Sequence, residues 1–63
     1  MDTSIVYETA THYVIRVARG YEVYRNDGVA AVRVASIGDG PAPRLGFTRA
    51  KAEADRRTAQ PKG

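Results

Sequence analysis

Tyr13-Val14-Ile15-Arg16-Val17-Ala18-Arg19-Gly20-Tyr21-Glu22-Val23-Tyr24-Arg25 is the stretch that decides the fold. Its β-branched and aromatic residues alternate with polar ones at a period of two, which is the pattern of half-buried strands rather than of a helix. In the first run, Tyr13, Ile15 and Val17 share a face opposite Arg16. In the second, Tyr21 and Val23 oppose Glu22 and Tyr24. Between them, Arg19-Gly20 reads either as a tight turn or as a bulge at Gly20 within one bent strand.

Working outward, Val29-Ala30-Ala31-Val32-Arg33-Val34-Ala35-Ser36-Ile37 is a third run, with Ala30, Val32 and Val34 on one side and Ala31 and Arg33 on the other. Asn26-Asp27-Gly28 before it is a hairpin signal, because Asn and Asp tolerate left-handed backbone and glycine adopts it freely. Upstream, Ser4-Ile5-Val6-Tyr7-Glu8 is a short fourth candidate, placed as an edge strand. Neighbouring strands with short connections pair as an antiparallel meander.

Gly38-Asp39-Gly40-Pro41-Ala42-Pro43 then interrupts regular structure, with Asp39 as a turn former. Beyond it, Phe47 to Arg57 reads as an alanine-rich helix with Thr48 as its N-cap. Arg49–Glu53–Arg57 and Lys51–Asp55 are oppositely charged pairs one turn apart, and Arg56 and Arg57 suit the negative helix end. Phe47, Ala50, Ala54 and Thr58 form its narrow inward stripe. Alanines there let the helix lie close to a sheet, so it is expected on the Tyr13/Ile15/Val17, Tyr21/Val23 and Ala30/Val32/Val34 face. The fold class is therefore α+β: a three- to four-stranded antiparallel meander with one C-terminal helix on one face. Residues 1–59 form the single domain, and 60–63 a fraying tail.

Composition bounds the function. The 63 residues contain no cysteine, no tryptophan and one histidine, and carry a formal net charge of +3. A disulfide framework, a thiol nucleophile and a zinc knuckle are excluded. Reduced surroundings fit such a chain, so a cytoplasmic location is expected. No apolar run approaches the roughly 20 residues of a membrane span. His12 has no partner at ligand spacing and is read as an ordinary surface residue. Ser4 and Ser36 have no base, and Glu53 and Asp55 point to different sides of the helix. No catalytic residue, metal site, cofactor or small-molecule substrate is expected, and the protein is read as non-enzymatic.

With one helix on one sheet face, the reverse face stays open. The expectation places Val14, Arg16, Glu22, Tyr24, Ala31 and Arg33 there. Arg16, Tyr24 and Arg33 are then the candidate site, with two readings. Arginines beside a tyrosine can grip phosphate and touch base edges of duplex nucleic acid. Alternatively Arg16, Glu22 and Arg33 form a solvated ladder of ion pairs, and the chain is a protein-interaction module that homodimerises through an edge strand or the open face. Small size favours self-association, since a core of this length yields only about 3–5 kcal/mol.

The segment Leu45-Gly46-Phe47-Thr48-Arg49-Ala50-Lys51-Ala52-Glu53-Ala54-Asp55, following three strands, resembles the plant ethylene-response-factor DNA-binding domain and the N-terminal arm-binding domain of phage integrases. The resemblance covers residues 13–57. It implies DNA contacts from arginines and aromatics of the open face, here Arg16, Tyr24 and Arg33. The chain lacks the tryptophans of the plant domains and carries a longer loop at residues 38–44.

Overall fold

The computed structural model describes residues 4–26, 28–38, 40 and 43–59. Asp27, Asp39, the Pro41-Ala42 step and the 60–63 tail, with the turn and fraying roles expected of them, lie outside the described residues. Four strands form one antiparallel sheet in chain order: β1 (Ile5–Glu8), β2 (His12–Val17), β3 (Gly20–Asn26) and β4 (Ala31–Gly38). One helix, α1 (Pro43–Ala59), packs against it. The α+β meander with a C-terminal helix is the architecture expected from the alternation.

Local chemistry explains the connections. Val17 pairs with Gly20, so Ala18 and Arg19 are a two-residue turn and the bulge alternative at Gly20 does not apply. Gly20 is required by crowding: a Cβ there would sit 2.1 Å from the main-chain oxygen of Ile37 on β4. At the next hairpin, the side-chain oxygen of Asn26 accepts the Gly28 N–H at 3.0 Å, and Gly28 takes φ of 91°. Such a side-chain bond to the main chain supports the turn, with glycine in the left-handed region.

The helix starts four residues earlier than its alanine pattern indicated. Pro43 opens it, where a fixed φ and an absent N–H cost nothing. Thr48 is consequently not an N-cap; it sits inside the helix and donates to the Arg44 carbonyl at 3.1 Å. Gly46 is buried, and Ala50 and Ala54 are wholly so, forming an i, i+4, i+8 row of small residues. This row lets the helix axis approach the sheet, where Val14 and Val23 fill the space beneath it.

The core corrects the expected phase of β2. Val14, Tyr21, Val23, Ala50 and Ala54 make the buried cluster, with Tyr7, Val34, Ala35, Ile37 and Phe47 packed around it. Val14 lies opposite Val23, whereas Tyr13 lies opposite Tyr24 and Ile15 opposite Glu22. Tyr13, Ile15 and Val17 therefore face away from the helix. Both sides of this strand are apolar, and its one charge, Arg16, is no marker of the outer face. The Arg16 guanidinium lies over the Tyr21 ring at 4.9 Å, so the cation reaches solvent past an aromatic edge.

Two bulges adjust the edges. Val6 is the extra residue between the Ile5–Ile15 and Tyr7–Val14 pairs. Val34 is the extra residue between Val23–Ala35 and Tyr24–Arg33. The second bulge keeps Val34 against the core and brings Ala35 and Ile37 to the helix side as well. Val32 fares worse, at 43% exposed, and Val29 and Ala30 precede the strand instead of joining it.

His12 is also corrected, from a surface residue to a buried one at 6% exposure. Its Nδ1 is 2.7 Å from Thr11 Oγ1 and 3.4 Å from Thr58 Oγ1, so it ties β2 to the last helical turn. Thr58 reinforces that tie, with its hydroxyl 2.6 Å from Thr9 Oγ1 and donating to the Ala54 carbonyl at 2.7 Å. Burial and the neighbouring Arg57 and Arg25 charges hold His12 below its ordinary pKa.

Candidate functional site: the open face of the sheet

Antiparallel partners place their side chains on the same face, so the pairing register maps the uncovered side. Glu8 pairs with Tyr13, Tyr13 with Tyr24, and Tyr24 with Arg33. These four residues form a straight row across all four strands. The adjacent row runs Ile5, Ile15, Glu22 and Ser36, and Val17 follows near the Ala18–Arg19 turn.

The centre of this face is aromatic and aliphatic. Tyr13 and Tyr24 stack with ring centroids 5.4 Å apart and planes 6° from parallel. Ile15 is only 8% exposed although no helix covers it, because its same-face neighbours crowd around it. Ile5, at the β1 edge, remains half exposed. Polar groups are organised by Glu22, which the sequence reading places in an ion-pair ladder with Arg16 and Arg33; the pair with Arg33 forms, whereas Arg16 lies over Tyr21 on the helix side. The two Glu22 oxygens divide the work: one accepts the Tyr24 hydroxyl at 3.0 Å and the other the Arg33 guanidinium at 3.2 Å. The carboxylate beside it raises the Tyr24 pKa.

Of the three expected site residues, Tyr24 and Arg33 lie together on this face and share Glu22. Arg16 does not join them, because it projects on the helix side beside Tyr21. Val14, expected on the open face, is fully buried under the helix. Sequence reasoning missed Glu8, Tyr13 and Ile15 as members of the face. A two-residue turn at Ala18–Arg19 fixes every β2–β3 pair by counting outward, and that signal would have found Tyr13 opposite Tyr24.

The charge distribution matters for what the face can bind. Among the described residues its charged side chains are two carboxylates, Glu8 and Glu22, against one guanidinium, Arg33. Most cations lie elsewhere. The helix carries Arg44, Arg49, Lys51, Arg56 and Arg57, with Glu53 holding Arg56 at 2.6 Å and also holding Arg57. Both guanidinium hydrogen bonds hold the Glu53 carboxyl below its ordinary pKa, that of Arg56 most strongly. Lys51 lies over the Tyr7 and Phe47 rings rather than against Asp55, which accepts the Tyr7 hydroxyl at 2.6 Å.

Among the described residues no group of three His, Cys, Asp or Glu side chains is placed to hold a metal ion. No described helix is long and apolar enough to cross a membrane. Comparison with protein-family models, curated proteins and solved structures finds no match to this chain.

Proposed function

We propose that the chain is a small non-enzymatic protein-interaction module of the cytoplasm, self-associating through the open face of its sheet. The observation that supports this reading best is the composition of that face: Tyr13, Ile15 and Tyr24 at the centre, Ile5 at the β1 edge and Val17 near the turn, with Glu8, Glu22 and Arg33 between and around them. An aromatic and aliphatic patch bordered by polar groups is the anatomy of a protein interface. Duplex nucleic acid draws less support, because phosphate binding needs a cationic stripe and this face has more carboxylates than guanidiniums.

The edge of the sheet is the weaker docking surface. β4 is long for an edge strand and carries a single charge, Arg33. Its bulge at Val34, however, breaks the straight ladder that a joining strand requires. The shortest strand, β1, is broken by its own bulge at Val6.

Sedimentation equilibrium tests the reading. The account predicts a mass of about twice the 6.9 kDa chain at high micromolar concentration. Val17→Lys on the open face is expected to weaken association at least tenfold, whereas Ala52→Lys on the outer side of the helix leaves it unchanged. A monomer at every concentration, or DNA binding at low salt that Arg33→Ala abolishes, would overturn it.

A further inference from the structure

The register carries a more specific inference, which rests on self-association through the open face. We infer that the partner is a second copy of this chain docked face to face about a two-fold axis parallel to the strands. In that arrangement Glu8 of one copy meets Arg33 of the other, and Tyr13 meets Tyr24.

The row Glu8–Tyr13–Tyr24–Arg33 reads acid, aromatic, aromatic, base from one edge of the sheet to the other. A two-fold axis that runs along the strands, midway between β2 and β3, reverses the order of strands and leaves heights along them unchanged. β1 of one copy then lies over β4 of the other, and β2 over β3. Only under this operation does the row become its own complement. A two-fold axis across the strands would instead bring Glu8 towards Glu8 and Arg33 towards Arg33, opposing like charges.

The dimensions agree. Four strands at about 4.8 Å put the row ends about 14 Å apart, or about 7 Å from the axis. Two facing sheets pack about 10 Å apart, a gap that an arginine and a glutamate span together. Aligned sheets cross at about 30°, which displaces the row ends by about 4 Å, within the reach of two long side chains. Arg33 has capacity for both carboxylates. One Nη holds Glu22 of its own chain at 3.2 Å while its side chain stays 59% exposed, and a guanidinium offers five N–H donors. Glu8 is exposed. The Tyr24 hydroxyl already has its acceptor in Glu22, so covering Tyr24 leaves that donor paired.

A charge-exchange cycle by sedimentation tests the arrangement, with circular dichroism confirming the fold of each variant. Glu8→Arg sets a guanidinium against Arg33 of the partner, and Arg33→Glu sets a carboxylate against Glu8. Each is expected to raise the dimer Kd about tenfold or more. The double variant is expected to bind at least fivefold tighter than the two single effects multiplied together predict. Because the chain has no native cysteine, a second measurement is available. A short bis-maleimide should join Glu8→Cys chains to Arg33→Cys chains and should not join either variant to itself. Dimers without coupling, or with Glu8→Cys self-linking, overturn the two-fold geometry while leaving self-association intact. A monomeric native chain overturns both.

Discussion

Replacing Ala50 with leucine tests the close approach of helix and sheet that sets which face is covered. Ala50 and Ala54 are fully buried, and the side chains beneath them, Val14 and Val23, are fully buried too. A leucine at 50 adds three carbon atoms at a contact with no solvent on any side. Overpacking of this kind costs about 1–3 kcal/mol, through rotamer strain or a lifted helix. For a domain of this size each kcal/mol moves Tm by about 4–8 °C, so a loss of about 4–24 °C is expected. Ala52→Leu is the control, since Ala52 is exposed on the same helix and leucine nearly matches alanine in helix propensity. Thermal melts followed by circular dichroism at matched concentration give both values. If Ala50→Leu melts within about 2 °C of Ala52→Leu, the helix does not sit on the Val14/Val23 side and the reasoning fails.

The remaining predictions concern single groups. His12 is held below its ordinary pKa by burial and by the Arg57 and Arg25 charges, so on acidification the unfolded chain takes up this proton first. Its contribution is therefore intact above about pH 6.5 and declines as pH falls towards the lower folded value. Melts between pH 7.5 and 5 should show Tm falling less in His12→Gln than in the native chain, and equal slopes would refute it. The Glu53 carboxylate acts in a lower window, because its arginines keep it ionised below the ordinary carboxylate range. Gly20→Ala drives a methyl into the Ile37 carbonyl, and an urea midpoint should report a loss of about 2 kcal/mol or more. Tyr7→Phe removes the bond to Asp55 at an exposed site, and a smaller fall in the urea midpoint than that of Gly20→Ala is expected in the same assay.

Much of the architecture was legible in the chain because several local signals agree. Alternation over Tyr13–Arg25, the Asn26 and Gly28 turn residues and an alanine-rich C-terminal run all specify a meander followed by a helix. The phase of β2 was not legible. Tyr13, Ile15 and Val17 offer more apolar bulk than Val14, and period-two reasoning assigns the bulkier side to the core. What decides otherwise is the helix: Gly46, Ala50 and Ala54 present so little side chain that Val14 fits beneath them, and the larger Tyr13 and Ile15 of β2 are left outside. Excess apolar bulk on the uncovered side is thus the same fact that points to an interface.

The helix start and His12 were hidden for different reasons. Pro43 and Gly46 read as loop residues, yet proline is acceptable in a first turn, and glycine is useful where a helix lies close to a sheet. His12 has no sequence neighbour that announces burial; its partner Thr58 lies 46 residues away. Tyr24 and Arg33 were placed on the open face because the strand phases of β3 and of the start of β4 were read correctly. Arg16 was misplaced with the phase of β2, and Glu8 needed the β1 bulge before it could face Tyr13.

Isotope-filtered NOE spectroscopy on an equal mixture of labelled and unlabelled chains addresses the open face most directly. The account predicts contacts between protomers from the Ile15 methyls and the Tyr13 and Tyr24 rings, while the Ala50 and Ala54 methyls show contacts to Val14 and Val23 within one chain only. Contacts between protomers confined to the helix, or none from the Tyr13/Ile15/Tyr24 surface in a sample of dimer mass, would contradict it.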